Sequence, residues 1–295
     1  MPFREAFDCL WCGRAHRTRS GEDLEGWAGL CPECVGRAGD NGFLRFRVRS
    51  ALQERARATG SAVVSEAAAL PVDLDAEMKA YYAARAPEYD EAYGRRGAAS
   101  GGSVLDLWRE REIDEITGWL DQVPLSGEIV ELAAGTGWWS PLLAQKGELS
   151  LYDINAEPLD IARGRLVAHG LRAHIHVRDA WQEPDRQVDG VFCGFWLSHV
   201  PRSRLSEFLG LVARWLRADG IFAFLDERAG TAAEDLGADP ETGVTVRRLD
   251  DGREFRIPKV YYAPAELETA LREAGFDRSE VRETERYFLM GTALR

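Results

Sequence analysis

The sequence lacks several features that mark particular classes of protein. Its 295 residues contain no run of about 18–20 apolar residues, which a membrane-spanning helix needs. The first residues also lack the basic-then-apolar pattern of a secretory signal. We therefore expect a cytoplasmic protein without a membrane partner. The composition, with 45% hydrophobic and 29% charged residues, is ordinary for a globular protein.

An excess of positive charge is missing as well, since the net charge is −12. Residues 1–60 carry ten arginines and eight acidic residues, whereas the rest of the chain carries 27 basic and 41 acidic residues. Nucleic-acid binding needs a cationic surface that replaces the counterions of the phosphates. The composition therefore disfavours a nucleic-acid partner. One basic run is either a solvated helix face or a local binding patch: Arg45, Arg47, Arg49, Arg55 and Arg57.

Cysteine is scarce outside one short segment. Four of the five cysteines form two Cys-x-x-Cys pairs separated by 18 residues, and the fifth, Cys193, lies in an apolar run. Each pair offers two thiolates on a tight turn, and four thiolates complete a tetrahedral zinc site. Residues 1–42 resemble a zinc ribbon. The predicted ligands of its structural Zn²⁺ are Cys9, Cys12, Cys31 and Cys34.

Two questions about this module stay open at the level of sequence. A redox dithiol is the alternative to zinc, although two paired motifs are better explained by one metal. His16 is a spare potential ligand. The weak positive charge of the segment favours a docking or stabilising role over nucleic-acid recognition.

The rest of the sequence predicts a helical linker and lid over residues 43–100 and a larger domain over residues 101–295. Within that domain, apolar strands alternate with helical periodicity. The predicted helices span residues 104–120, 139–145, 156–169 and 205–216, and the predicted strands span 128–132, 149–153, 174–178, 188–195 and 221–226. A hairpin (244–249 and 254–257), a helix from Pro264 and two strands (279–285 and 286–293) follow. This alternation is typical of an α/β fold with a mostly parallel sheet covered by helices on both faces.

The first strand of this sheet leads into a loop of small residues, Glu131-Leu-Ala-Ala-Gly-Thr-Gly137. Ligands of open α/β sheets bind at the carboxyl ends of the strands, where they approach the backbone closely. Asp153 ends the second strand and can accept hydrogen bonds from both ribose hydroxyls. Asp179, after the third strand, can accept a hydrogen bond from an adenine amino group. Three successive strand ends therefore predict a nucleotide-type cofactor site.

Taken in order, these motifs resemble those of class I S-adenosylmethionine (SAM)-dependent methyltransferases. Besides the loop at 131–137, the matching segments are Tyr152-Asp153-Ile154, Arg178-Asp179-Ala180-Trp181, Phe192 to His199, and Arg217 to Phe224. The resemblance covers roughly residues 75–295. It implies SAM as the cofactor and a seven-stranded sheet whose last strand is antiparallel. The chain departs from the family pattern at Ala133, where glycine is usual.

The resemblance also implies cofactor contacts from several parts of the chain. The methionine part of SAM would be held by the loop residues Glu131, Ala133, Gly135 and Gly137. The ribose and adenine would be held after the second and third strands by Asp153, Ile154, Asp179, Ala180 and Trp181. The methyl-transfer side would be lined by Gly194 and Phe195. The lid over the cofactor would be closed by Tyr82 or Tyr89.

The single motifs have other interpretations. A Gly-Thr-Gly sequence after a strand is often only a tight turn. A dehydrogenase that binds NAD would also use an acidic residue such as Asp153, but its fingerprint needs a third glycine where this chain has Ser140. The Asp179-Ala-Trp segment and the antiparallel ending favour methyl transfer.

Methyl transfer from a sulfonium is an in-line displacement, so alignment of donor and acceptor supplies much of the acceleration. A base is needed only where the acceptor must lose a proton. His199 is the candidate base, and the other interpretation is a strand-end histidine bonded to the backbone. Asp226 and Glu227 are weaker candidates. Residues that could shape the acceptor pocket are Lys259, Tyr261, Tyr262, Trp138, Trp139 and Trp196.

The sequence therefore predicts an enzyme that transfers a methyl group from SAM to a small-molecule acceptor and forms S-adenosylhomocysteine (SAH). Two alternatives stay open. One is a methyltransferase for RNA or protein that docks its substrate on the zinc module, and the other is a zinc-dependent interaction protein without turnover. The fold is shared by oxygen, nitrogen and carbon acceptors, so it does not choose among them. The oligomeric state is also open, with a dimer as one option.

Overall fold

The computed structural model describes residues 6–8, 14–17, 31, 33, 73–87, 89, 104–228, 243–249 and 251–295. The chain divides into two compact units, Met1–Val72 and Asp73–Arg295. Their boundary falls within the segment predicted as a helical linker and lid. The helix that follows this boundary therefore belongs to the larger unit.

The first unit contains two short strands, β1 (Ala6–Asp8) and β2 (Ala15–Arg17), which pair in antiparallel fashion. Nη1 of Arg14 lies 3.3 Å from Oε2 of Glu33. Glu33 lies two residues after Cys31 in the sequence, so this contact joins the start of β2 to a residue close to Cys31 along the chain. Cys31 is buried.

The other three predicted zinc ligands, Cys9, Cys12 and Cys34, lie outside the described residues. Within the described part of the chain, no group of three or more His, Cys, Asp or Glu side chains could hold a metal ion. The four-cysteine site therefore stays a prediction.

A seven-stranded sheet forms the centre of the second unit. Its strands are β3 (Gly127–Leu132), β4 (Gly147–Asp153), β5 (His174–Val177), β6 (Val188–Gly194), β7 (Leu216–Glu227), β10 (Arg278–Glu283) and β11 (Phe288–Leu294). They lie in the order β10-β11-β7-β6-β3-β4-β5. Strand β11 is antiparallel to both of its neighbours, and the other pairs are parallel. The predicted seven-stranded, mostly parallel sheet is confirmed.

Helices pack on both faces of this sheet. The described helices are α1 (Leu74–Arg85), α2 (Val104–Gln122), α3 (Ser140–Ala144), α4 (Ala156–Ala168), α5 (Leu205–Trp215) and α6 (Pro264–Glu273). Helices α5 and α6 contribute to one apolar core with β6 and β7, and α2, α3 and α4 contribute to a second core with β3 and β4. None of the helices in the described ranges is long and apolar enough to cross a membrane.

Two elements show how the sequence specifies these layers. In α5 the buried residues Leu205, Phe208, Leu209 and Val212 recur at the three- and four-residue spacing of one helix face. Strand β6 is apolar along most of its length and largely buried, as a central parallel strand must be.

Two details differ from the prediction or extend it. Strand β7 begins at Leu216 rather than at residue 221, because Leu216 already pairs with Val188 before a shift in register. The predicted hairpin forms a separate two-stranded sheet of β8 (Val244–Arg248) and β9 (Glu254–Pro258). Helix α1 packs against this hairpin through an apolar cluster that includes Met78, Tyr81, Leu249 and Ile257.

Candidate cofactor and active site

A cavity of about 820 Å³, counted with the open space at its mouth, lies between helix α1 and the carboxyl ends of the parallel strands. After β3 and β4 it is lined by the predicted residues Ala133, Gly135, Asp153 and Ile154. After β5 and β6 it is lined by Asp179, Ala180, Trp181, Gly194, Phe195 and His199. The α1 side contributes Tyr82 and Tyr89. The structure therefore brings residues from five separate segments into one cavity.

Sequence reasoning missed several residues that line this cavity: Asp75, Met78, Lys79, Ala86, Thr136, Asn155 and Pro158. Asn155 and Pro158 carried a usable signal, because they follow Asp153 directly into α4. The residues of α1 show only ordinary helical periodicity, which does not distinguish a face that meets a ligand from one that meets the core.

Backbone amides hold the Asp153 carboxylate. Its Oδ2 accepts a hydrogen bond from the amide of Gly135 at 2.9 Å, and its Oδ1 accepts one from the amide of Asn155 at 2.9 Å. Burial raises the pKa of this carboxyl group, and the two amides oppose that effect. An ionised carboxylate has about four acceptor sites, so it can accept further hydrogen bonds from a ligand.

Two predicted loop residues, Glu131 and Gly137, do not line the cavity. Oε2 of the buried Glu131 accepts a hydrogen bond from Oγ of Ser140 at 2.6 Å, and burial raises the pKa of Glu131 to about 8. Gly137 has a φ of +68°, and a Cβ placed on it would lie 2.6 Å from the Cβ of Ala162. Glycine at 137 therefore lets the loop pack directly against α4.

The third strand end supplies a second acidic group. Oδ1 of Asp179 accepts a hydrogen bond from the amide of Trp181 at 2.9 Å, which holds the turn between them. Ala180 is buried, and the Trp181 ring packs edge-on against Phe208 with ring centroids 5.4 Å apart. This corner of the cavity therefore presents a carboxylate beside an aromatic ring.

Helix α1 is held over the cavity by polar contacts as well as by its apolar face. The helix begins after Asp73, whose Oδ1 accepts a hydrogen bond from the amide of Ala76. The carboxylate of Glu77 accepts from the backbone amide of Arg256 at 2.7 Å and from its Nη2 at 2.6 Å. Nδ2 of Asn155 donates to the carbonyl of Lys79 at 3.1 Å. These contacts join α1 to both β9 and the start of α4.

His199 lies where α1, the end of β6 and the hairpin meet. Its Nδ1 lies 2.7 Å from the carbonyl oxygen of Pro258, which can only accept, so Nδ1 carries the hydrogen. The neutral ring then accepts at Nε2 from the hydroxyl of Tyr82, 2.6 Å away. Burial and the charge of Lys259 lower the pKa of His199 to about 3. At neutral pH His199 is therefore uncharged and bonded at both nitrogens.

A charged cluster lies beyond His199, and only some of its residues are candidates from the sequence. Nζ of Lys259 lies 2.8 Å from Oε2 of Glu227 and donates to Oγ of Ser198 at 3.1 Å. Burial opposes ionisation of Glu227, but Lys259 outweighs it and lowers the pKa of Glu227 to about 2. Asp226 accepts from the amides of Ser198 and Glu227, and burial raises its pKa. Both acidic candidates are thus engaged within the protein.

The aromatic candidates are divided among different places. Trp196 lines the cavity, whereas Trp139 is buried in the apolar core. The ring of Trp138 lies 5.1 Å from the guanidinium carbon of Arg165. The hydroxyl of the buried Tyr262 donates to the carbonyl of Val200 at 2.6 Å, which fastens the chain after β9 to the turn after β6.

Solved structures with the same architecture contain SAM or SAH. The structure of DhpI in complex with SAM and HEP matches with a TM-score of 0.62 and 32% sequence identity, over 76% of this chain and 99% of DhpI. The complex of DhpI with SAH matches with a TM-score of 0.58 and 32% identity, over 75% of this chain and 96% of DhpI. The chain belongs to the class I SAM-dependent methyltransferases.

More distant comparisons agree with this family. Magnesium protoporphyrin IX methyltransferase (ChlM) from Synechocystis PCC 6803 with bound SAM shares the fold, with a TM-score of 0.53 and 17% identity over 76% of this methyltransferase and 98% of ChlM. A family profile described as a methyltransferase domain matches residues 129–220, which contain the strand ends that meet at the cavity.

Curated relatives include the ubiquinone/menaquinone biosynthesis C-methyltransferases UbiE. The UbiE of Pseudomonas aeruginosa (strain LESB58) is 25% identical over 195 residues, 60% of this methyltransferase and 73% of the relative. The UbiE of Azotobacter vinelandii is 28% identical over 133 residues, 42% of this chain. The chain thus spans about half the length of the Azotobacter relative (50%).

Proposed function

We propose that this SAM-dependent methyltransferase methylates a small molecule that is enclosed with the cofactor beneath α1. The observation that carries the proposal is the cavity itself. Helix α1 lies over this cavity and is fastened there by Glu77 and Asn155. A binding site closed by a docked helix suits a small acceptor better than a segment of RNA or protein, which needs an open groove.

The residues of this chain fit the chemistry of SAM. Asp153 is held by two backbone amides and lines the cavity, where its carboxylate can accept from ribose hydroxyls. Asp179 and Trp181 offer a carboxylate and a ring for adenine. When bound, SAM supplies a methyl group on a positively charged sulfur. Gly194 and Phe195 would border the space between that methyl group and the acceptor.

The protein's contribution to the transfer is mainly alignment and exclusion of water. In-line displacement is accelerated when donor and acceptor are held in the reacting geometry. Tyr82 reaches from α1 to His199, so closure of α1 and the shape of the acceptor side depend on each other. We assign His199 first to holding Tyr82, since its Nε2 is occupied and its pKa is about 3. The role of general base stays an alternative for acceptors that must lose a proton.

The first unit is proposed to bind zinc through Cys9, Cys12, Cys31 and Cys34 and to act in docking or stabilisation. Supporting observations are the buried Cys31 and the contact of Arg14, two residues after Cys12 in the sequence, with Glu33, two residues after Cys31. Metal analysis of the purified protein should find one zinc per chain, and Cys31→Ser should lose it while Cys193→Ser keeps it. Absence of zinc, with the four thiols freely titratable, would overturn this assignment. The cytoplasmic location expected from the sequence is part of the same proposal.

The acceptor proposal is tested with labelled SAM. The full chain is incubated with the small-molecule, RNA and protein fractions of a host extract, and transfer of the labelled methyl group is followed in each. We expect label in the small-molecule fraction, with the acceptor atom given by analysis of the product. Label confined to RNA or protein would contradict the proposal.

The site assignment is tested with two aspartate variants. Asp153→Ala should abolish binding of SAH measured by calorimetry and should abolish transfer. Asp160→Ala removes an exposed carboxylate of α4 that pairs only with the neighbouring Arg163 at 2.5 Å among the described contacts, and it should leave both unchanged. Tight binding by Asp153→Ala would refute the assignment of Asp153 to the ribose.

A further inference from the structure

Arg204 is a basic residue that the cofactor site does not yet explain. It ends a short 3₁₀ turn, Arg202–Arg204, which precedes α5. It is not among the residues that line the cavity. Its guanidinium carbon lies 3.6 Å from the centroid of the Trp181 ring, close enough for stacking of the two planar groups. Trp181 itself lines the cavity at the adenine corner.

The guanidinium of Arg204 is fixed in orientation by a carboxylate on the next helical turn. Its Nε lies 3.1 Å from Oε2 of Glu207, and its Nη2 lies 3.3 Å from Oε1 of the same residue. Two parallel contacts of this kind define the plane of a guanidinium as well as its position. Phe208 contacts the edge of the Trp181 ring. The ring is therefore held from two sides by residues that do not themselves line the cavity.

The same guanidinium also contacts helix α1, which forms the lid of the cavity. Nη1 of Arg204 lies 3.7 Å from Oδ2 of Asp75, in the first turn of α1. The charge of Asp179 also acts on Arg204. Asp75 and Asp179 both line the cavity, one from α1 and the other from the strand end after β5. Arg204 thus stands behind the cavity wall and contacts elements on both sides of its adenine corner.

We propose that Arg204 is a positioning residue that couples adenine binding at Trp181 to closure of helix α1 through Asp75. The proposal rests on the assignment of Trp181 and Asp179 to the adenine. Stacking of Arg204 on one face of the Trp181 ring fixes the orientation of that ring in the cavity wall. The contact of Arg204 with Asp75 holds the first turn of α1 against the same wall. Arg204 contacts Trp181 and Asp75 but does not contact the cofactor. Its effect is therefore on the rate at which the cofactor dissociates.

The coupling predicts a particular pattern of binding kinetics. Opening of α1 must precede release of an enclosed ligand, so loss of Arg204 should accelerate dissociation more than it slows association. Arg204→Ala should raise the Kd for SAH by about 5–10-fold, in line with the strength of a partly buried cation–aromatic contact. Arg204→Lys keeps a positive charge near Asp75 but loses the planar stacking, so its dissociation rate should lie between those of Arg204→Ala and the wild type.

The experiment measures SAH binding to the full chain by calorimetry and its dissociation by stopped-flow displacement. Arg202→Ala is the matched control. Arg202 lies in the same turn, and it pairs with Glu266 and lies 4.9 Å from the ring of Tyr262, away from the adenine corner. This variant should keep the wild-type Kd and dissociation rate. Far-ultraviolet circular dichroism checks that each variant folds.

Double variants show whether Arg204 acts through the two proposed partners. In a Trp181→Leu background, Arg204→Ala should add less than about 2-fold to the Kd, because the stacking partner is already absent. In an Asp75→Asn background, Arg204→Ala should have a smaller effect on the dissociation rate than it has in the wild type. Equal dissociation rates of SAH from the Arg204→Ala, Arg204→Lys and Arg202→Ala variants would overturn the proposal. Failure of the wild-type chain to bind SAH would instead refute the cofactor site on which it rests.

Discussion

The hydroxyl of Tyr82 and Nε2 of His199 lie 2.6 Å apart, and this hydrogen bond joins helix α1 to the turn after β6. On the opposite side of the ring, Nδ1 bonds to the carbonyl of Pro258 at the end of β9. One imidazole therefore links the lid, the central sheet and the hairpin. Because Tyr82 and His199 both line the cavity, the bond between them connects the position of helix α1 to the shape of the cavity.

Replacing Tyr82 by phenylalanine should weaken binding of SAH by about 5-fold, the effect of losing one hydrogen bond of roughly 1 kcal/mol. The ring itself would stay in contact with Tyr89, whose centroid lies 5.9 Å away. Tyr81→Phe is the matched control, because Tyr81 is the adjacent tyrosine but does not line the cavity. Calorimetry on both variants checks the prediction. Equal Kd values for the two variants would show that the bond to His199 does not hold the lid.

Much of the sheet could be predicted because its signals are local. Strands such as β6 are apolar along most of their length. Asp153 ends β4 and Asp179 follows β5 by two residues, so topology brings both to one edge of the sheet. The position of α1 could not be predicted in this way. Its contacts, such as Glu77 with Arg256, join residues far apart in the sequence, and no pattern around either residue predicts that they pair.

The loop after β3 shows the same limit at smaller scale. Its small residues predict a close approach of the backbone to a ligand, which stays a prediction. In the structure, the Gly135 amide donates to Asp153 at the cavity wall. Glu131, however, turns to Ser140 and does not line the cavity. Which way a buried carboxylate points depends on the partners that the folded chain offers, and the sequence gives no signal that Ser140 is such a partner.

His199 should make the protein sensitive to mild acid. Its pKa is about 3 in the folded protein, whereas an unfolded histidine titrates near 6.5. Between these values the unfolded state binds more protons, so the free energy of unfolding falls as the pH falls through 6.5 and is unaffected by this group above that pH. The slope contributed by His199 is at most about 1.4 kcal/mol per pH unit.

Urea unfolding of the wild type and of His199→Gln at pH 7.5 and 5.5 checks this prediction. The glutamine variant should be less stable at pH 7.5, because the buried bonds to Tyr82 and Pro258 are altered, but it should lose less stability on acidification. Other titrating groups are common to both proteins, so the difference between the two slopes reports His199. Parallel slopes would mean that His199 titrates at its ordinary pKa in the folded protein, as an imidazole accessible to water does.

Glu131 should link cofactor binding to proton release. Its pKa is about 8 because it is buried, so it is mostly protonated at pH 7 in the protein without ligand. Its carboxylate bonds to Ser140 and does not line the cavity, so the prediction requires that the ammonium group of the ligand reaches it. That positive charge would favour the ionised form, so binding would release a proton and affinity would rise as the pH rises from 6 towards 8. The increase is at most tenfold per pH unit.

Calorimetric titration of SAH in two buffers with different ionisation enthalpies measures that proton. We expect the apparent binding enthalpies to differ for the wild type at pH 7 and to converge for Glu131→Gln, whose affinity should also lose most of its pH dependence between pH 6 and 8. A buffer-independent enthalpy in the wild type would place the methionine end of the ligand away from Glu131.

Gly137 should not tolerate alanine, for two independent reasons. Its φ of +68° lies in the left-handed region, which costs an alanine about 1–2 kcal/mol. The added Cβ would also lie 2.6 Å from the Cβ of Ala162 and 3.0 Å from its Cα, so the loop or α4 would have to move. Gly118→Ala is the matched control, because Gly118 lies in α2 with nothing within 4 Å of the added carbon, and helix propensity favours alanine there by about 1 kcal/mol.

Thermal unfolding and SAH calorimetry on the two glycine variants separate these effects. Gly137→Ala should lower the unfolding temperature and weaken SAH binding by about tenfold or more. Strain of about 1 kcal/mol or more would shift the loop, and the Gly135 amide would then no longer bond to Asp153. Gly118→Ala should raise the unfolding temperature slightly and leave the Kd unchanged. Since Ala133 already occupies a φ of +51° in the same loop, wild-type affinity in Gly137→Ala would mean that the loop accommodates side chains throughout. The close contact between Gly137 and α4 would then not be needed to shape the cofactor site.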